Sequence, residues 1–302
     1  MGLVGKDPKD SRDYLLSDIQ APVELPEEYT LRDKMTPVET QDGLGICYAM
    51  AACAIGAYWE KKNLSERFVV HNTKTISGMW GLQGDYFRNA VKAYCDYGAP
   101  LETDYPNDFS LTWEQFSKNE PPIEVVNKAL ENRGGNYWRV DPTIENIKQA
   151  VFQNKAPVLI GMGWYGNYQP VDGKLPPADF TNQVGGHAVT CVGWTYKKLW
   201  FKNSWGAGWG DSGYFYIPFD EFDKYSLWDC WIVLDLEPQV LEGWVALKYL
   251  NAGFKTTTTD VLNVRATPNG TKIGQLSKGK ELTVTEIGNT AGGYLWVKIK
   301  SI

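Results

Sequence analysis

From Cys47 the chain reads CYAMAACAIGAYWEKKN, about sixteen residues rich in Ala, Met, Ile and aromatic side chains and free of proline. A helix of that composition is apolar on nearly every side, so it has to be surrounded by other elements. That calls for a long chain with a sizeable core. The cationic pair Lys61-Lys62 at its end suits the negative end of the helix dipole. Gly43 and Gly45 form a flexible, closely packed turn just ahead of it. Cys47 therefore stands at the opposite end, where unpaired N–H groups and the positive dipole end favour a thiolate, the form of cysteine that attacks carbonyls. Cys53, six residues further on among alanines, is a packing residue. Taken alone, Cys47 reads more readily as one more small buried side chain.

The chain has 302 residues, of which 43% are apolar and 14% aromatic, enough for about two domains and against disorder. A net charge of −6 gives no general phosphate-neutralising surface, so no nucleic-acid partner is expected. There are two histidines, His71 and His187, and no Cys-x-x-Cys pair. Ordinary zinc-finger spacing is excluded, and neither metal nor cofactor is expected. Chemistry that needs an imidazole must use one of those two residues. His71, in SERFVVHN, reads as structural or surface. Cys47, Cys53, Cys95, Cys191 and Cys230 are odd in number and sit in apolar or helical segments, which suits buried thiols made in a reducing compartment. No apolar run is long enough for a membrane span. The start, MGLVGKDPKDSRDY, has no signal core, and Lys6 stands where a myristoylation motif needs Ser or Thr.

Composition changes near Pro238. Beyond it come VLNVRA, GQL, KELTVTEI and GYLWVKIK, short alternating segments broken by Pro-Asn-Gly and Gly-Gly, which read as small strands and tight turns. Charge divides at the same place: residues 239–302 carry net +4 and the rest net −10. An acidic domain with a basic β-module favours an anionic partner surface for the module.

The order of the remaining polar residues raises the standing of Cys47. VGGHAVTCVGW places His187 after two glycines at the start of an alternating strand, and a second strand, KKLWFKN, ends at Asn203. Separations of 140 residues from Cys47 to His187 and 156 to Asn203 are close to those of papain-type enzymes. Four blocks then match in order. Gln41 stands six places before Cys47; Gly45-Ile46-Cys47-Tyr48 matches the nucleophile turn; GGHAVTCVGW matches the histidine strand; and Asn203-Ser204-Trp205-Gly206 with Gly208-Trp209-Gly210 matches the asparagine block. From about Leu25 to Asp235 the chain resembles a papain-like cysteine peptidase.

The resemblance implies roles. Cys47 is then the nucleophile and forms an acyl-enzyme. His187 takes the thiol proton and later protonates the leaving amine. Asn203 orients the ring, Trp205 shields that bond from water, and Gln41 donates to the developing oxyanion together with the Cys47 N–H. By rough alignment Gly84 offers backbone hydrogen bonds to an extended peptide. Phe87, Gly161, Gly185 and Ala188 then line a roomy apolar subsite. Three departures stand out. Leu44 occupies the place of a usual cysteine, and Leu82 that of its partner, which suggests an apolar contact in place of the bridge. Asp42 replaces a usual glycine. Only about two dozen residues precede the matching region, resembling the short leader of bacterial and viral members, so a conventional self-inhibited zymogen is not expected.

Leu262-Asn263-Val264-Arg265, Pro268-Asn269-Gly270, GQLSKGKELTV and GYLWVKI resemble a bacterial SH3-like domain, a type that often attaches enzymes to wall polymers. Its usual Gly-Trp-Val strand stands here ahead of the other blocks, at Gly243-Trp244-Val245, which suggests a permuted or incomplete barrel. The expectation is therefore an α+β papain-like fold of two lobes with a small all-β barrel behind it. Residues 1–24 form a leader, 25–238 the peptidase domain, and 239–302 a linker and the SH3-like domain. The substrate is a polypeptide or a peptidoglycan cross-link peptide, with an anionic cell-wall polymer as partner of residues 239–302. Synthesis is in the cytoplasm, with action at the cell wall or release by lysis. A catalytically silent binding protein is the reading from another class, and the complete set of Cys47, His187, Asn203 and Gln41 argues against it.

Overall fold

The structure, a computed structural model, describes residues 1–11, 13–234, 242–250, 255–257, 262–276 and 281–301. It divides into two compact units, Met1–Asp235 and Leu236–Ile302. The boundary expected between residues 238 and 239 lies outside the described residues.

In the first unit the all-apolar segment is the helix α1, Cys47–Glu60, with eleven of its fourteen residues buried. It ends at Lys61, whose φ of 57° is a left-handed cap. Around it pack α2 (Glu66–Ser77) and α3 (Phe87–Tyr97), with α4 (Trp113–Lys118), α5 (Ile123–Glu131) and α6 (Ile144–Asn154) further along the chain. Gly56 allows the close approach: a Cβ there would lie 2.4 Å from Leu64 and 2.5 Å from the Tyr94 hydroxyl. Ser65 caps α2 by accepting from the Phe68 N–H.

The strands β1 (Tyr29–Thr30), β2 (Tyr137–Val140), β3 (Val158–Tyr165), β4 (Gln183–Thr195), β5 (Lys198–Lys202), β6 (Tyr214–Pro218) and β7 (Leu227–Val233) form one antiparallel sheet. Its order is β2-β7-β3-β4-β5-β6, with β1 on β4. All eight residues of β3 are buried, because apolar groups cover both of its faces. On one side Leu159 and Ala188 join the helical core around α1; on the other Val158, Ile160, Met162 and Trp164 join the sheet core with Phe201 and Phe215. The long β4 thus runs through the interface of the two lobes. Its burial is continuous from Gly186 to Trp194, so the alternation expected for it gives way to coverage from both sides. His187 lies inside β4, four residues past its first residue, and not at its start.

All five cysteines are free and buried. The suggested Leu44–Leu82 contact does not replace a bridge inside the fold. Leu44 packs on the helical core, while Leu82 is 52% exposed.

The second unit is a six-stranded antiparallel sheet of β8 (Glu242–Ala246), β9 (Lys255–Thr257), β10 (Leu262–Arg265), β11 (Lys272–Leu276), β12 (Glu281–Ala291) and β13 (Tyr294–Ser301), in the order β11-β10-β8-β13-β12-β9. Val245, Leu262, Val264, Leu276, Leu282, Val297 and Ile299 form its core. Gly292 and Gly293, at φ 58° and 79°, make the tight β12–β13 turn. The Gly-Trp-Val strand pairs between the others, with Trp244 opposite Lys298 on one side and Arg265 on the other.

Candidate active site

The loop ahead of α1 is a tight turn that fixes Gln41. Asp42 and Gly43 adopt positive φ, 45° and 80°, and the Leu44 N–H closes the turn on the Gln41 carbonyl at 2.9 Å. Aspartate tolerates this left-handed geometry, which accounts for Asp42 at a position where a glycine is usual. Gln41 is tied to the sheet: its N–H donates to the Ser204 carbonyl at 3.0 Å, and its Oε1 accepts from Ser204 Oγ at 2.8 Å and Trp205 Nε1 at 3.2 Å. With Oε1 doubly engaged, Nε2 must face the turn, where it donates to the Leu44 carbonyl. The buried Lys202 ammonium adds a second tie, donating to the Thr36 and Pro37 carbonyls at 2.9 and 3.1 Å.

His187 comes from β4, opposite Met162 of β3. Its Nε2 lies 2.7 Å from Asn203 Oδ1, and Asn203, just past β5, is fixed by its own N–H to the Gly213 carbonyl at 3.0 Å. The pairing makes Nε2 the protonated nitrogen and leaves Nδ1 with a lone pair and no hydrogen-bond partner. The next residue, Ala188, donates its N–H to Cys47 Sγ at 3.3 Å. The Cys47 sulfur is thereby joined to the backbone of β4 next to His187. Trp205 lies 4.9 Å from the imidazole at 32°, and Trp164 4.7 Å at 74°, ring centre to ring centre. Both rings pack against the imidazole. Trp164 and Ser204 escaped the sequence reading as site residues. The placement of Trp164 depends on the β3–β4 register, which sets it opposite Gly185.

Burial sets the resting charges. Cys47 and His187 are both fully buried. Desolvation pushes the thiol up, against hydrogen bonds from the Ala188 and Gly2 backbone that favour the thiolate. Desolvation also lowers His187 to about 4, partly offset by Asn203. The covered pair is therefore neutral, in contrast to the thiolate that the helix end alone favours.

The cover is the chain's own leader. Leu3 bridges antiparallel to Gly186 and parallel to Asp85. Its N–H donates to the Gly186 carbonyl at 3.1 Å, the Val4 N–H to the Asp85 carbonyl at 3.2 Å, and the Asp85 N–H to the Gly2 carbonyl at 2.9 Å. The subsite residues named from sequence gather here. A Cβ on Gly161 would lie 3.1 Å from Leu3 and 3.3 Å from Phe87, one on Gly185 2.8 Å from Met1, and one on Gly84 3.0 Å from the Gly2 carbonyl. Phe87, Ala188 and Leu3 share the helical core. His71 lies apart: it is buried, with Nδ1 3.0 Å from the Ser117 carbonyl and Trp80 against its ring. Among the described residues no helix is long and apolar enough to cross a membrane.

Known proteins share this architecture. A protein of Acanthamoeba polyphaga mimivirus, described as an uncharacterized peptidase C1-like protein, is 26% identical over 250 residues, covering 75% of this chain and 76% of its own length. Papain from Carica papaya is 27% identical over 211 residues, 68% of this chain and 58% of the relative. Among solved structures, xylellain, a cysteine protease from Xylella fastidiosa, superposes with a TM-score of 0.66 at 22% identity, over 78% of this chain and 96% of that one. Bromelain from Ananas comosus gives 0.56 at 24%, over 70% and 100%. The pattern of the papain family cysteine proteases matches residues 25–228, from before Gln41 to beyond Asn203, so the chain belongs to that family of thiol-dependent peptide hydrolases.

Proposed function

We propose that the chain cleaves polypeptide substrates with Cys47 as nucleophile, His187 as base and then acid, Asn203 as the group that orients the ring, and Gln41 as oxyanion donor. The observation that carries this is the His187 Nε2–Asn203 Oδ1 bond of 2.7 Å, which leaves the unpartnered Nδ1 beside the residue that donates to Cys47 Sγ. In that geometry Nδ1 takes the thiol proton as a substrate carbonyl arrives. Sulfur adds to the carbonyl carbon, and the negative oxygen is held by Gln41 Nε2 and the Cys47 N–H. The imidazolium then protonates the departing amine, and water releases the acyl group by the reverse order. Cys47→Ala should abolish hydrolysis of a quenched fluorescent peptide while the circular dichroism spectrum is retained. Turnover unchanged in Cys47→Ala refutes the assignment.

For the second unit we propose an SH3-like module that holds an anionic cell-wall polymer, supported by its net +4 charge over residues 239–302 and by the Gly-Trp-Val strand seated between β10 and β13. Peptidoglycan cross-link peptides are then the second substrate class. Incubation with purified peptidoglycan and with a denatured protein, using Cys47→Ala as control, tells the two apart by which one is cut.

A further inference from the structure

An oxyanion donor has to meet an oxygen whose charge develops only as the carbonyl is attacked, so its place must be set beforehand. Yet Gln41 stands on a segment, residues 36–41, that lies outside every helix and strand. We propose that Lys202 is a positioning residue for the reaction: its buried ammonium clamps the far end of that segment and so fixes Gln41 at the site. The proposal rests on the reading of Gln41 as the oxyanion donor.

Three observations carry it. The first is how the ammonium spends its donors. Lys202 is 5% exposed. Its Nζ donates to the Thr36 carbonyl at 2.9 Å, the Pro37 carbonyl at 3.1 Å and Thr36 Oγ1 at 3.3 Å. An ammonium has three N–H groups, and these acceptors take all three. A lysine that only packs its stem turns its charged head to water. This one is turned inward, onto two consecutive residues of the segment.

The second is what the clamp adds to the main-chain ties. Nearer the site the segment runs antiparallel to residues 204–206. The Gly206 N–H donates to the Glu39 carbonyl at 3.0 Å, Thr40 bridges Trp205, and the Gln41 N–H donates to the Ser204 carbonyl at 3.0 Å. Those ties begin at Glu39. Lys202 carries the hold back past Val38 to Pro37 and Thr36. Val38 itself is wedged against Gly213, where a Cβ would lie 2.6 Å from it. The segment is therefore held at both ends and cannot slide along its partner. The Gln41 amide follows the main chain, since Ser204 and Trp205 hold its Oε1.

The third is the place of Lys202 in the chain. It is the last residue of β5, and Asn203 follows it. Successive side chains leave a strand on opposite sides. One dipeptide thus serves both halves of the machinery, with Asn203 on the imidazole and Lys202 on the oxyanion segment. Burial lowers Lys202 to about 8, and the Glu39 and Glu66 carboxylates work against that fall. They hold the charge of an ammonium whose donors all go to neutral oxygens.

The test is a double-mutant cycle on one quenched fluorescent peptide, with the full chain and circular dichroism as the control for folding. Lys202→Met should lower kcat by about tenfold to a hundredfold, the cost of a misplaced group. Its KM should stay within about twofold of wild type, because the donor acts on the transition state and not on bound substrate. Gln41→Ala gives the loss expected for one missing oxyanion donor. A clamp that acts through Gln41 has nothing left to act on once the amide is gone. The double variant should therefore match Gln41→Ala within about threefold. Should Lys202→Met fail to fold, the same cycle is read with Lys202→Arg, which keeps the charge but presents a planar fork to acceptors that suit an ammonium. A wild-type kcat in the folded Lys202 variant overturns the proposal. So does a double variant slowed by the product of the two single losses, which marks Lys202 as structural or as acting through Asn203. Gln41→Ala at the wild-type rate overturns instead the reading of Gln41 on which the proposal rests.

Discussion

Two titrating residues, Asp7 and His187, oppose each other. Burial and the neighbouring Asp229 raise Asp7 from 3.8 to about 6, and burial lowers His187 from 6.5 to about 4. A raised carboxyl holds more protons folded than unfolded, so its contribution is present at low pH and lost as pH rises through about 6. A lowered imidazole holds fewer, so it destabilises the fold as pH falls from 6.5 toward 4. Each shift is worth about 3 kcal/mol, so the two nearly cancel in the wild type. Asp7→Asn should unmask the histidine: its urea midpoint should fall steeply between pH 6.5 and 4, by an equivalent of about 3 kcal/mol, while that of wild type stays flatter. Parallel pH profiles for the two proteins would count against the opposition. Gln41 gives a second prediction at this scale. Its Oε1 is held by Ser204 and Trp205, which fixes Nε2 toward the turn. Under the proposed mechanism Gln41→Ala should lower kcat by about a hundredfold to a thousandfold with little change in KM, measured on one peptide substrate. Gln41, Cys47, His187 and Asn203 were legible because each lies in a short local motif of fixed spacing. Trp164 and Ser204 were not, because their positions follow from strand register and from a side-chain network spanning 163 residues.

Among the elements, α1 was the most legible, since an apolar surface on every side admits few environments. Strand β4 was less so. Its glycines read as a strand start, but pairing with β3 runs back to Gln183, Leu3 bridges it at Gly186, and helices and sheet cover both faces of its central part. Of the groove edge at Gly84-Asp85, the sequence reading names Gly84 and not Asp85. In the fold it is pinned from behind by α2. Lys74 and Asp85 are both fully buried with 3.0 Å between Nζ and Oδ2, and Lys74 Nζ also donates to the Gly84 carbonyl at 2.6 Å. Ser77 Oγ, Asn89 Nδ2 and the Tyr86 N–H also donate to the carboxylate. Lys74→Met leaves that charge buried and unpaired, and should cost about 3 to 5 kcal/mol of stability. The double variant Lys74→Met, Asp85→Asn should recover a large part of the loss. A double variant as unstable as the sum of the two single ones would argue against a coupled pair.

On the scale of the molecule, two units of opposite charge share one chain, and the family match ends at residue 228, before the second begins. The shift of charge and composition near Pro238 lies close to the boundary of the two units at Asp235. The covered cleft was not: a leader of about two dozen residues carries no long helix and gave no reason to expect occupancy. What ties it down, Asp7 on Trp231 and Asp13 on Arg88, is scattered over the chain and visible only once folded. Under the proposed targeting, a chain whose second-unit lysines Lys272, Lys298 and Lys300 are changed to Gln should cleave a small peptide at the wild-type rate yet sediment less with purified walls. Equal sedimentation would refute wall binding by that unit.

The distance along the chain between Asp7 and Trp231 has a consequence for the order of synthesis. Asp7 leaves the ribosome 224 residues ahead of Trp231, the indole that its carboxylate accepts from. The groove it enters also needs Asp85 and Gly186, so no docking surface exists until most of the first unit has emerged. Strand β7, the last of the first unit, thus completes the docking surface for a segment made 224 residues earlier.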